Sequence, residues 1–277
     1  MVISAMLEFE ILACGLYRPE QLDITYDPSL RMPIHPALQS WMDTLWEQKL
    51  VIAREKGIPL FDAPLFRLVE AEAKPGGTLR LLLGDTGYKE YVTTRVPGFA
   101  QGRKREELGN ALSVCSVVET SDGCILLDKR QGVDVYAGRY HVIGGFFERD
   151  RDSTVSKQPA PFEAMRREIR EETGIQLADI HEQYCLGVVY DVATPHGEMC
   201  FLTKLNIPLA EVYKRVPEED EIKQLLSLEV TPEGLREFVV KNHGNISATG
   251  EPNLLMYGGV MFGESWFKEV IEQITSS

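Results

Sequence analysis

The sequence is poor in the features that would assign it to several broad classes. No apolar run approaches the roughly 18 residues a membrane-spanning helix needs, and the apolar start MVISAMLEFEILACG is interrupted by Glu8 and Glu10 and has no basic leader. Cysteine is scarce and unpaired in pattern: five residues, at 14, 115, 124, 185 and 200, with no C-x-x-C. That excludes a zinc ribbon and gives no disulfide framework. Positive charge is also short, with 29 Lys and Arg against 42 Asp and Glu and a net charge of -13. A general positive field for gripping nucleic acid or anionic lipid is therefore absent, and no G-x-x-x-x-G-K-[ST] phosphate loop occurs. The chain is expected to be cytoplasmic, with neither a membrane nor a nucleic acid as partner. An acidic protein can still handle a polyanionic small molecule if cations neutralise the site.

What remains is ordinary globular composition, 44% hydrophobic and 26% charged. The spacing of Leu38, Met42, Leu45, Leu50 and Ile52 predicts a helix over 35–57 that stops at Gly57. LFRLVEAEA and TLRLLLGD read as strands joined by the turn KPGG. The polar stretch VPGFAQGRKREELGN (96–110) reads as a linker, so residues 1–105 form an N-terminal α+β unit and 106–277 a second domain. The second domain restarts with a hairpin, ALSVCSVVET and CILLDKR about SDG. After it come RYHVIGGFF, a polar loop from Glu148 to Ala160, a helix, three more strands and two helices, an alternation that implies a mixed sheet with helices on both faces.

The helix over 161–173 carries the chemistry. Pro161 suits a first helical position, Phe162, Met165 and Ile169 share an apolar stripe, and Gly174 suits a left-handed cap. At 100° per residue Glu168, Glu171 and Glu172 fall in one arc beside that stripe. Like charges at this spacing repel by a few tenths of a kcal/mol, so the cluster calls for a counter-charge. Arg166, Arg167 and Arg170 would supply it on a solvated face; a divalent ion such as Mg²⁺, which takes hard oxygen ligands and shares substrate phosphates, would supply it in a site.

REIREETGI (167–175), behind a hairpin and the glycine pair of YHVIGG, resembles the second half of the Nudix hydrolase signature at each fixed position. The interval from Gly145 to Arg167 is longer than the signature's, and the slot of its first glutamate falls on Pro159, so that carboxylate is absent or displaced, with Glu148 and Glu163 as candidates. The segments LWEQKL, LFDAPLFRL, GDTGYKEYVTT and LGNALSVCSVV are similar in order to those of a mammalian Nudix protein acting on UDP-glucose and UDP-galactose. The resemblance implies a Nudix α/β/α sandwich with a mixed sheet and a metal-dependent pyrophosphatase that cleaves a nucleoside diphosphate sugar to UMP and a sugar 1-phosphate. It implies Mg²⁺ or Mn²⁺ on Glu168, Glu171, Glu172 and the backbone of Gly145. It further implies catalytic roles for Glu168, Arg167 and a glutamate outside the box, chosen as Glu221 in VPEEDEIKQLLSLEV, and substrate contacts at Gly144 and Glu148. An ADP-ribose or dinucleotide pyrophosphatase and a catalytically silent Nudix-fold binding module are the alternatives, and a homodimer is left open. His141, on the strand into the glycine pair, is the one histidine expected near the site.

Overall fold

The computed structural model describes residues 7–131, 135–218, 222 and 224–276. The N-terminal part runs β1 (Phe9–Tyr17), β2 (Leu22–Tyr26), α1 (Pro36–Lys56), β3 (Pro64–Lys74), β4 (Thr78–Gly87), α2 (Tyr88–Thr94) and α3 (Pro97–Ala100). The remainder runs β5 (Leu112–Glu119), β6 (Cys124–Lys129), β7 (Tyr140–His141), β8 (Ile143–Phe146), α4 (Pro161–Thr173), β9 (Ile180–Asp191), β10 (His196–Leu205), α5 (Leu209–Val212), β11 (Leu225–Glu229), α6 (Pro232–Asn242), α7 (Gly250–Phe262) and α8 (Glu264–Ser276). No helix among the described residues is long and apolar enough to cross a membrane.

The fold is the expected α/β sandwich on a mixed sheet. The large sheet has the order β1-β9-β10-β5-β6-β11, with β7 on β6 and β8 on β5; the small one is β2-β4-β3. The central strands are apolar on both faces. Val114 and Val118 of β5 and Met199 and Phe201 of β10 pack with Phe162, Met165 and Ile169 of α4 and with Leu79, Leu81 and Leu83 of the small sheet. Their neighbours Cys115, Val117, Cys200 and Leu202 face Leu235 of α6, Leu254 and Leu255 of α7 and Val270 of α8. This period-2 partition between two helical layers is why the strands read as continuous hydrophobic runs.

Two segments differ from the sequence expectation. Residues 96–110 are packed: Leu108 and Asn110 are buried, and the buried Arg67 donates from Nη2 to the carbonyls of Glu106 at 3.1 Å and Leu108 at 3.2 Å. A guanidinium taken out of water requires acceptors, and this loop brings them. The first strand, in turn, leaves the small sheet and pairs antiparallel with β9 from Phe9↔Asp191 to Tyr17↔Cys185. Helix α1 matches its prediction, opened by His35, whose Nδ1 accepts from the Leu38 amide at 3.2 Å, and closed by Gly57 at φ 67°.

Candidate active site

Helix α4 lies across β8, and the glycine pair decides how closely. A Cβ on Gly145 would sit 2.5 Å from the carboxylate atoms of Glu168. The amide of Gly144 donates to Glu172 Oε2 at 3.1 Å. At the C-terminal cap, two residues beyond Glu172, Gly174 adopts φ 74°, and a Cβ there would strike the Val216 carbonyl. Small residues thus let the acidic turn rest on backbone.

The counter-charge for the glutamates is a set of arginines. Arg167, 8% exposed, reaches Glu168 Oε1 at 2.8 Å and Glu171 Oε2 at 2.9 Å through Nη1. Its Nη2 donates to the Phe146 carbonyl at 2.9 Å. Its remaining edge is held by Asp152, with Nε to Oδ1 and Nη2 to Oδ2 both at 2.8 Å. Burial opposes the charge of Arg167, but the Asp152 hydrogen bonds and the Glu168 charge outweigh it and raise its pKa above the ordinary arginine value. Arg151, which is more exposed, pairs with Glu171 and lies 3.4 Å from Glu148; Arg170 pairs with Glu218 at 3.0 Å and lies 3.7 Å from Glu171. Burial raises the pKa of Glu148 against the pull of Arg167 and Arg151.

Asp152 is the residue that the sequence reading missed. The carboxylate facing Arg167 is neither Glu148, which lies on Arg151, nor Glu163, which is exposed and pairs with Arg166 at 2.7 Å. Asp152 is 2% exposed and is fixed by the long loop, whose Glu148 amide donates to its Oδ2 at 2.8 Å while its own carbonyl accepts from Ala160 at 2.9 Å. The lengthened interval is the signal that could have pointed there, since an acidic residue inside the loop can reach the arginine as well as one on the helix. Glu221 lies outside the described residues.

Glu168, Glu171, Glu172, Gly144, Gly145 and Glu148 all line one cleft of about 580 Å³. Its outer wall comes from the N-terminal part, with Lys49 and Lys56 of α1 and Tyr88, Tyr91 and Arg95 of α2 or its end. Tyr88, Tyr91 and Phe146 pack edge to face at centroid distances of 5.5 to 6.1 Å. Asp62 caps α2 by accepting from the Lys89 amide at 2.8 Å, and Lys89 itself pairs with Asp43, away from the cleft.

The far end of the cleft holds a second polar group: His141, His196, Glu198, Ser247 and Thr249. Both histidines and Glu198 are buried. Burial drives the pKa of His141 down to about 3, so its ring is neutral. Burial also opposes charge on His196, but Glu198 and Asp191 outweigh it and raise its pKa. Glu198 is pulled down to about 2 despite its burial, chiefly by His196.

Three carboxylates on one helical turn are a fitting hard-oxygen donor set for Mg²⁺ or Mn²⁺. Among the described residues, however, no three His, Cys, Asp or Glu side chains are gathered so as to hold an ion by themselves. A divalent ion bound there would take its remaining ligands from waters and substrate phosphates.

No family model and no curated protein matches the chain. Among solved structures, a bifunctional NMN adenylyltransferase/ADP ribose pyrophosphatase from Francisella tularensis aligns at 18% identity over 62% of this chain and 44% of that chain, with a TM-score of 0.37. A NUDIX hydrolase from Nitrosomonas europaea aligns at 14% identity over 54% of this chain and 88% of that chain, TM-score 0.38. A hydrolase of the NUDIX family from Clostridium perfringens aligns at 17% over 56% and 99%, TM-score 0.35. The chain thus spans less than half the length of the Francisella protein. TM-scores this low assign neither fold nor activity, and the functional reading rests on the site's own geometry.

Proposed function

We propose that the chain is a metal-dependent Nudix pyrophosphatase that hydrolyses a nucleoside diphosphate sugar, with UDP-glucose and UDP-galactose cleaved to UMP and sugar 1-phosphate. The observation that carries this reading is the seating of Glu168 and Glu172 on the backbone of Gly145 and Gly144, at the centre of a cleft large enough for a nucleotide sugar.

Cleaving the anhydride requires neutralising two phosphates and presenting a water in line with the leaving oxygen. Glu168, Glu171, Glu172 and the Gly145 backbone would hold a divalent ion, which when bound would supply charge neutralisation and a more acidic water. The chain's own residues do the rest. Arg167, gripped by Asp152, fixes the directions of Glu168 and Glu171. Glu168 or Glu221 takes the proton of the attacking water as its oxygen bonds to phosphorus; the bridging bond breaks and its electrons leave with the departing phosphate. The Gly144 backbone and Glu148 border the phosphates, and Arg151 can turn from Glu171 toward them. The two parts of the chain divide this labour: residues 106–277 bring the carboxylates, and residues 1–105 bring the lysines and tyrosines that close the cleft over base and sugar.

The test is release of monophosphate products from UDP-glucose, UDP-galactose, ADP-ribose and NADH with Mg²⁺, beside Glu172→Gln. UDP-sugar turnover that disappears in the variant supports the reading. Preference for ADP-ribose keeps the site and replaces the substrate. No turnover of any substrate, with binding retained, makes the protein a binding module.

A further inference from the structure

We propose that the far end of the cleft is a diol-binding subsite, in which Glu198 and His141 take vicinal hydroxyls of one of the substrate's sugar rings. This inference rests on the pyrophosphatase reading and gives it a determinant of specificity.

The register places the subsite. Glu198 of β10 pairs with Ser113 of β5, and Ser113 pairs with Phe146 of β8, next to Gly145. Adjacent strands are about 4.8 Å apart, so Glu198 stands roughly 10 Å across the sheet from the glycine pair. In strand phase Glu198 goes with Cys200, on the α7 side of the sheet, and not with Met199 on the α4 side, so what joins it to the α4 carboxylates is the single cleft that both line.

The chemistry follows from the hydrogen bonds. Ser247 Oγ accepts from the Gly250 amide at 3.0 Å and lies 2.6 Å from His141 Nδ1. Ser247 Oγ can therefore accept from Gly250 with one lone pair and still donate its hydroxyl to Nδ1; we take this tautomer, with the proton of the neutral ring on Nε2, facing Glu198. That Nε2 is 4.0 Å from Glu198 Oε1, too far for a hydrogen bond. A hydroxyl entering between them accepts from His141 and donates to Glu198. The other carboxylate oxygen lies 3.7 Å from His196 Nε2, and the carboxylate also takes a hydrogen bond from Thr249, so a neighbouring hydroxyl would share it with these two groups. His196 cannot turn away, because its Nδ1 is 2.6 Å from the Thr194 carbonyl and Asp191 beside it is held by Tyr136 at 2.8 Å. A carboxylate here repels phosphate, so the subsite takes the neutral, hydroxyl-rich part of the substrate. The hydroxyls belong either to the ribose or to the hexose that leaves as its 1-phosphate.

The experiment compares UDP-glucose with two analogues, uridine diphosphate methyl ester, which lacks the glucosyl hydroxyls, and 2′,3′-dideoxyuridine diphosphate glucose, which lacks the ribose diol. In the wild type the analogue missing the recognised diol loses a factor on the order of 10 to 100 in kcat/KM, as expected for hydrogen bonds to a charged group, and its identity names the source. In Glu198→Gln that discrimination collapses toward one, with the change mainly in KM. Should Glu198→Gln not fold, Ser247→Ala, which frees the tautomer of His141, lowers the same ratio. An unchanged ratio in the folded variant overturns the subsite. If the wild type turns over no substrate, the pyrophosphatase reading fails, and calorimetric binding of the same ligands in EDTA decides the subsite by the same comparison: wild type prefers the diol and the variant does not, or the proposal falls.

Discussion

The two polar walls of the cleft are built in opposite ways. On α4 the carboxylates come from one helical turn and are balanced by arginines on flexible stems, two of them well exposed. At the far end the Glu198 carboxylate is assembled with histidines from β7 and β10, with Ser247 and Thr249 from the approach to α7, and with Asp191 behind His196, all of them buried. Arginines can swing from carboxylate to phosphate or yield to a metal ion. Histidines locked to Thr194, Asp191 and Ser247 cannot. Under the proposed function the first wall would exchange partners during the reaction, and the second would present fixed donors and acceptors.

The largest expected effect lies on the exchangeable wall. Glu172→Gln should lower kcat by about three orders of magnitude, since an ion's several kcal/mol of charge stabilisation is lost, while leaving the melting temperature near wild type. A variant as active as wild type would remove α4 from the chemistry. Asp152→Ala tests the fixed element inside that wall. It strips the buried guanidinium of Arg167 of two 2.8 Å bonds and should cost about 3 to 5 kcal/mol, visible in denaturant unfolding together with reduced activity. Equal stability of variant and wild type would mean that the neighbouring glutamates suffice for Arg167.

The same contrast explains what the sequence disclosed. Glu168, Glu171 and Glu172 were legible because a helix brings residues three and four apart together by geometry alone, and the sandwich was legible because β5, β6 and β10 are apolar in both phases. Asp152 was not, because its partner is fifteen residues away across a loop with no periodicity. Glu198 was read as the first residue of an ordinary strand, and His196, just before it, was not expected near the site, because nothing local distinguishes a polar residue at a strand's start from one at a cleft wall. Helix α7 was missed for a related reason: buried on nearly all sides through Gly258, it lacks the polar face that reveals a helix. The pairing of β1 with β9 joins residues far apart in sequence, which hydrophobic pattern does not encode.

Acid should separate the walls further. His141 titrates near 3 in the folded chain against 6.5 for a free imidazole. Between these values the unfolded chain binds more protons, so the His141 contribution to stability is full above pH 6.5 and declines as the pH falls toward 3, while the raised pKa of His196 contributes with the opposite sign, present below 6.5 and lost as the pH rises through its folded value. Glu198, near 2 when folded against an ordinary 4.5, adds to the loss below pH 4.5. His141→Asn should flatten the upper part of this decline in melting temperature against pH. An unaltered profile would place the acid sensitivity elsewhere.

The smallest effect is the most discriminating, because it sets the two glycines of β8 against each other. A Cβ on Gly144 would meet the Val114 carbonyl and lie 2.7 Å from Cys115 Cα, both backbone of the neighbouring strand. The sheet cannot yield there without breaking ladder geometry, so Gly144→Ala should lower the melting temperature and activity together. The three atoms nearest a Cβ on Gly145 would all belong to the end of the Glu168 side chain, which can rotate away at little cost to the fold. Gly145→Ala should therefore keep its melting temperature within a few degrees, as expected for a change of about 1 kcal/mol or less, while losing about tenfold in kcat, the equivalent of 1.4 kcal/mol in the barrier. If Gly145→Ala instead loses stability and keeps its rate, Glu168 does not depend on β8 for its position, and the contact between helix and glycine pair is packing rather than site.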